Sequence, residues 1–356
     1  MESGIYHTTY QQDMAFRHTP IQYGRLILVL VLALAFPLVF RGNDYYLLLA
    51  NQCLVAAIGA IGLNLLVGYT GQISLGQGAF LAVGAYTAGT VTSNFGVPWF
   101  AAIPIAALFT AVIGAMFGIP SLRLKGLYLA IATLAAQQIV EWFVTHFNFN
   151  KLTLSGESGA LTLPTPRLFG LKLSTNFDFY WVILICLILT VVAVSNLLRT
   201  RYGRAFRAIR DHDIAAEVMG IDPFRTKLLA FGVSSFFVGL AGALMANYNA
   251  RIVTWESFTV DVSITYLAMI IIGGLGSVSG SIYGAIFMTM LPALLNSLGD
   301  TLQGSGASIS VSQWLPYLKE GVFGLVIVLF LIFEPQGIAK LWRNVKDYFR
   351  LWPFSY

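Results

Sequence analysis

Four arginines stand three residues apart, at Arg201, Arg204, Arg207 and Arg210. A step of three keeps them on one broad helical face, as a row of permanent positive charge and forked N–H donors. Such a row binds rather than makes bonds, because it pairs with carboxylates or phosphates. The next step of three lands on Asp213, where the sign of charge reverses. Asp211-His212-Asp213 reads as a helix start with Asp213 as the N-cap. Ile214, Ala215, Ala216, Glu217, Val218 and Met219 then form a helix of about one and a half turns, and Gly220 ends it in a left-handed turn. Asp222-Pro223 reads as a second N-cap followed by proline in the first helical position. A helix this short is not stable alone in water, so its small and apolar side chains need a surface. Two surfaces qualify: the chain's own membrane domain, or a groove on a separate protein.

The segment that carries these residues, 199–227, holds seven of the chain's 21 Lys and Arg residues and four of its 16 acids. Almost everything around it is apolar. Hydrophobic residues make up 57% of the 356 and charged residues 10%, with a mean hydropathy of +0.75, where soluble chains carry about 25% charge. The fold class is therefore all-α, a polytopic integral membrane protein. Ten stretches approach the roughly 20 apolar residues that a span needs: 24–40, 45–67, 75–93, 97–118, 126–146, 177–198, 228–250, 261–276, 280–299 and 318–334. With the N-terminus inside, fifteen basic residues fall on cytoplasmic segments and six outside, as the positive-inside rule requires. Both termini are then cytoplasmic: a tail over 1–23 without the apolar core of a signal peptide, and a basic tail over 336–356. The membrane-spanning core runs over 24–335, with an external loop at 147–176 rich in turn-forming residues. The net charge of +5 suits anionic lipid and cytosol better than nucleic acid. Cys53 and Cys186 lie in apolar runs and imply neither a disulfide framework nor a metal site.

Eight glycines crowd residues 59–89, and a second cluster runs from Gly273 to Gly284. Glycine lets helices approach closely in lipid. It also permits a break in a helix, tolerated only where freed backbone is buried in protein or lines a wet cavity. Asn64, Gly71, Gln72, Ser74, Gly76 and Gln77 form an uncharged polar stretch there. It suits either interhelical hydrogen bonding or the side of a translocation path.

Other chemistry is missing. No G-x-x-x-x-G-K-[ST] phosphate loop exists, so the chain does not hydrolyse ATP by that machinery. There is no His-Glu-x-x-His and no G-x-S-x-G, so an intramembrane enzyme has no visible catalytic set. Carboxylates of the kind that drive ion-coupled carriers are scarce: Glu141, Asp44, Asp261 and Glu334 all fall near helix ends.

The stretch from Gly62 to Phe80, GLNLLVGYTGQISLGQGAF, resembles the permease subunits of branched-chain amino acid ABC importers, particularly the M-type subunit. Residues 203–222, GRAFRAIRDHDIAAEVMGID, resemble the cytoplasmic loop by which such permeases contact their ATPases, and Gly273–Gly280 is a third shared segment. The resemblance covers about residues 45–335. It implies a prokaryotic inner-membrane system: a second, H-type permease, two cytoplasmic ATPases that bind the ATP, and an extracytoplasmic binding protein, with no cofactor on this chain. Ile214, Ala215, Ala216, Glu217, Met219 and Gly220 would form the coupling helix. Arg204, Arg207 and Arg210 would meet ATPase acids or lipid phosphates, and the polar stretch from Asn64 to Gln77 would flank the path. Permeases for urea and short amides share the pattern. An ion-coupled carrier is the reading from a different class.

Overall fold

The computed structural model describes residues 20–121, 124, 126–149, 153–154, 160–164, 166–168, 171–172, 175–248, 252–304, 321–322, 324–330, 332–334, 337–341 and 344. Within them the chain is an all-α bundle. Its helices are α1 (Pro20–Val39), α2 (Asp44–Thr70), α3 (Gln77–Asn94), α4 (Trp99–Ser121), α5 (Leu127–His146), α6 (Asn176–Arg199), α7 (Arg201–Asp211), α8 (Asp213–Val218), α9 (Pro223–Tyr248), α10 (Val260–Gly273) and α11 (Val278–Gly304). Nine of the ten expected apolar stretches coincide with these helices. The tenth, 318–334, has helical backbone at 321–322, 324–330 and 332–333. Among the described residues, seven helical stretches are long and apolar enough to cross a membrane, with Ile27–Val39 a shorter apolar helix.

Helix α2 is the axis. It is apolar all round, and every residue from 55 to 68 is buried, as expected of a helix enclosed by others. Helices α9, α11, α6 and α10 pack around it, and α9 also packs against α3 and α4. Glycines set the closest crossings. A Cβ on Gly84 of α3 would fall on the backbone of Gly239 in α9, and one on Gly242 on the backbone of Leu81. Small residues make up for the missing hydrophobic drive in lipid by letting backbones touch. The outer faces of α4, α5 and α6 instead expose Leu108, Val112, Ile131, Ile139, Ile185 and Leu189, a surface suited to acyl chains.

The loops sort to two ends. At one end, Asn176 donates to Asp44 (2.9 Å), Asn94 donates to the carbonyl of Phe149 (2.6 Å), and Leu161–Thr162 pairs with Ile252–Val253 as antiparallel strands. Two further two-residue strand pairs lie within the 147–176 loop, joining Phe147–Asn148 to Thr153–Leu154 and Arg167–Leu168 to Leu171–Lys172. The other end gathers the last turn of α2, the α7–α8 segment and the turn between α10 and α11.

Two helices begin inside the bundle. The backbone leaves α2 at Gly71 (φ +70°), runs non-helically through residue 76 and re-enters as α3. Helix α10 starts after a 3-10 turn at Trp255–Phe258. At 18 and 14 residues the two helices are about 27 and 21 Å long at 1.5 Å per residue, short of the roughly 30 Å apolar layer. The glycine-permitted break therefore exists, and its freed N–H groups are met by buried side chains. Leu75 donates to Thr133 Oγ1 (2.9 Å), Gly78 to Ser263 Oγ (2.8 Å) and Ala79 to Gln137 Oε1 (2.6 Å).

Candidate functional site

The basic loop begins at Thr200, which caps α7 by accepting from the N–H of Tyr202 (3.3 Å). The step of three then separates the faces as expected. Gly203, Phe206 and Ile209 are buried, while Arg201, Arg204, Arg207 and Arg210 are exposed. All four arginines are nevertheless engaged within the chain, Arg201 by donating to the Tyr202 hydroxyl (3.0 Å). Arg204 donates to the carbonyl of Arg199 (3.2 Å), and Arg207 to those of Leu198 (3.2 Å) and Gly203 (3.3 Å). Both place positive charge on the carbonyl end of α6, where the helix dipole favours it. Arg210 turns the other way. Its Nη1 donates to the carbonyl of Gly68 (3.0 Å), and its Nε and Nη2 hold Asp211 Oδ1 (3.0 and 2.9 Å). Arg210 therefore reaches α2 through one nitrogen while its side chain stays exposed.

Two corrections concern the short helix. Its N-cap is His212, and Asp213 is the first helical residue. The Asp213 carboxylate lies 3.7 Å from Lys227 Nζ at the base of α9. Ala216 is 4% exposed and faces α7 and α9, so it packs on its own domain. The outward face consists of Ile214 (62% exposed), Val218 and Met219 (82% each), with Ala215 and Glu217 beside them. The helix is thus packed on its own domain on one face and leaves an apolar face open on the other. Val218, not singled out from sequence, belongs to the open one.

The helix stops as the sequence dictates. Gly220 has φ +84°, its N–H donates to the carbonyl of Glu217 (2.9 Å), and that of Ile221 to Ala216 (3.0 Å). These are the paired bonds of a Schellman turn. Asp222 Oδ1 then accepts from the N–H of Arg225 (3.2 Å), with Pro223 opening α9.

The polar stretch of the first glycine cluster lies at the centre of the bundle. Asn64 is its hub: Nδ2 donates to the Ser277 carbonyl (2.9 Å) and Ser281 Oγ (2.7 Å), and Oδ1 accepts from Gly276 N–H (2.9 Å). One amide thereby ties the two glycine clusters together, 213 residues apart. Gly68 has no side chain because Asn64 and Gly276 occupy that space. Gln77 donates to the Gly59 carbonyl (3.1 Å), Ser74 Oγ accepts from Gly76 N–H (3.4 Å), Gly76 packs on Thr133, and Gln72 Nε2 donates to Thr70 Oγ1 (3.1 Å). Gln72 Oε1 is buried with no partner among the described residues. Gly71 and Gln72 also line a cavity of about 310 Å³ with Thr70, Arg210, Asp213 and Lys227. The seam and the loop therefore share a wall. Replacing Asn64 with leucine removes the acceptor of the Gly276 N–H, while the Ser277 carbonyl keeps its bonds from Ser281. The expected cost is about 1–3 kcal/mol, read as a lowered thermal midpoint of the detergent-solubilised protein.

Sequence reasoning missed Thr133, Gln137 and Ser263, which satisfy the start of α3. A signal existed for two of them: Thr133 and Gln137 are four apart, on one face of an otherwise apolar run. The carboxylates keep their expected places, with Asp44 and Asp261 in first turns and Glu141 in the second half of α5. Among the described residues no three His, Cys, Asp or Glu side chains gather as a metal site.

The family model described as branched-chain amino acid transport system / permease component matches residues 45–331. The high-affinity branched-chain amino acid transport system permease protein LivM of Escherichia coli is 33% identical, over 89% of this chain and 75% of its own. A probable branched-chain amino acid transport permease protein, LivH of Methanocaldococcus jannaschii, is 28% identical over 81% and 89%. The ribose import permease protein RbsC of Haemophilus influenzae is 27% identical over 77% and 83%. No solved structure matches. The match spans both glycine clusters, the broken helix between α2 and α3, and the basic loop with its short exposed helix: the chain belongs to the branched-chain amino acid transport system permease family.

Proposed function

We propose that this protein is the membrane permease subunit of an ATP-driven importer of branched-chain amino acids. It pairs with a second permease of the H type, receives substrate from an extracytoplasmic binding protein, and is driven by two separate cytoplasmic ATPases that carry the ATP. The observation that carries this reading is α8: a six-residue helix whose Ile214, Val218 and Met219 stand exposed on a basic loop. Exposed apolar side chains on a polar rim mark a protein partner. Ten passes with both termini in the cytoplasm of a prokaryotic inner membrane agree with the fifteen-to-six distribution of basic residues. Mechanically, ATP binding draws the α8 helices together and shifts the permease pair between its inward and outward forms. The shift can be no larger than the differential affinity for the two forms. The path itself is lined by uncharged polar groups around the broken helix, consistent with weak, transient binding of a zwitterion.

The experiment is purification of the tagged protein in mild detergent, identification of co-purifying subunits, and reconstitution with them. ATP-dependent uptake of leucine, isoleucine or valine, with no uptake of ribose or urea, supports the reading. Uptake without ATP by the chain alone sinks it. Gly220→Val is expected to insert normally and lose about tenfold in uptake. A β-branched residue in the left-handed region costs on the order of 1–2 kcal/mol, and no neighbour lies within 4 Å to crowd the side chain. The penalty therefore falls on the turn alone, and unchanged uptake would remove the turn from the mechanism.

A further inference from the structure

Three segments far apart in the chain meet at one guanidinium. Arg210 is in the last turn of α7, two residues before α8 begins. Its Nη1 donates to the carbonyl of Gly68. That carbonyl lies in the last turn of α2, where the break at Gly71 leaves it without an intrahelical donor, because the N–H of Gln72 bonds to Leu66 instead. The same side chain crowds two positive-φ glycines: a Cβ on Gly71 would lie 3.3 Å from Arg210 Cγ, and one on Gly276 would lie 3.1 Å from Nη1. Gly276 in turn donates to Asn64, which also holds Ser277 and Ser281. A continuous chain of bonds therefore runs from the α7–α8 joint through Arg210 to the broken end of α2 and on to the turn that opens α11.

We propose that Arg210 is the positioning residue that transmits movement of α8 to the broken helix and to the α10–α11 turn. The proposal rests on the docking of ATPases at α8. Of the four arginines, Arg201 stacks on its neighbour Tyr202 and Arg204 and Arg207 bond to α6 or α7 backbone, so only Arg210 reaches α2. Beside it lies the cavity of about 310 Å³ bounded by Gly71, Gln72, Arg210 and Asp213. Helix α7 also touches α2 directly at Gly71, and the bonded guanidinium extends that contact across the cavity. The fork matters as well: Nε and Nη2 hold Asp211 while Nη1 holds Gly68. A lysine ammonium, one point on a flexible stem, cannot hold both in this geometry.

The test uses the whole transporter, with partner permease, ATPases and binding protein, in proteoliposomes. ATP hydrolysed per substrate imported is measured for wild type, Arg210→Gln and Arg210→Lys. A merely structural role lowers the amount of transporter and leaves that ratio unchanged. The glutamine variant is expected to keep its ATPases and basal hydrolysis, to lose stimulation by loaded binding protein, and to raise the ratio on the order of tenfold, the size of an ordinary coupling free energy. The lysine variant should fall between it and wild type. A wild-type ratio in Arg210→Gln, or loss of its ATPases, overturns the proposal. If the glutamine variant does not accumulate, Arg210→Lys decides, and a wild-type ratio there also overturns it. Failure of the docking reading is separate, because it shows as ATPases retained when Val218 and Met219 are changed.

Discussion

Glutamate at both Val218 and Met219 is expected to release the ATPases and leave the membrane domain folded. Each side chain is 82% exposed, so neither change disturbs packing in the free chain. In a docked groove each would bury a carboxylate beside apolar surface. Central anchors of this kind are typically worth about 2 kcal/mol or more on truncation, and an introduced charge adds its own desolvation. Two together therefore lower the affinity by about a thousandfold or more. The measurement is the ATPase-to-permease ratio after affinity purification, with the thermal midpoint of the permease as control. The expected pair of results is a lost ATPase band and an unchanged midpoint. Ala216→Glu is the contrasting case: at 4% exposure it drives a charge between α8 and its own domain, and should lower the midpoint as well. Retention of the ATPases by Val218→Glu/Met219→Glu would mean that the open face of α8 meets something else.

That contrast also shows what sequence could and could not disclose. Periodicity gave the amphipathic loop, because a step of three either faces solvent or does not, and Arg201 to Arg210 obey it. Backbone chemistry gave Gly220 and Asp222-Pro223, because a left-handed residue and a proline at the first helical position are local requirements. The cap at the start of α8 was misplaced by one residue, since both His212 and Asp213 stand where the helix can begin and Asp213 also pairs with Lys227, fourteen positions on. Ala216 was assigned outward from the resemblance, and which face of so short a helix packs on its own domain is not written in six residues. The break after α2 was legible in its glycines. Its repair by Thr133, Gln137 and Ser263 was not, since any buried polar group could have met those N–H donors. The strand pairs at 147–172 are two residues long, too short to show the alternation that marks a strand.

Gly84→Ala should be among the most damaging single-methyl changes in the chain, and Gly232→Ala among the mildest. Both glycines lie in helices, where exchange for alanine favours helix by about 1 kcal/mol. The difference is what the new Cβ meets. At Gly84 the three nearest atoms all belong to the backbone of Gly239, its Cα at 2.7 Å. Backbone cannot rotate away as a side chain can, so α3 and α9 must separate along their length. That crossing sits next to the one at Gly242 and Leu81, and prying one apart loosens both. Overpacking that a side chain cannot relieve reaches about 3 kcal/mol or more, enough to outweigh the propensity gain. At Gly232 the only neighbour within range among the described residues is the Ala111 carbonyl at 3.9 Å, ordinary van der Waals contact, so the propensity gain stands unopposed. Size-exclusion profiles after graded heating should show Gly84→Ala aggregating well below wild type and Gly232→Ala at or above it. Equal midpoints for the two variants would mean that the α3–α9 crossing is looser than backbone contact, and would leave the glycines of the first cluster to the break after α2 rather than to helix packing.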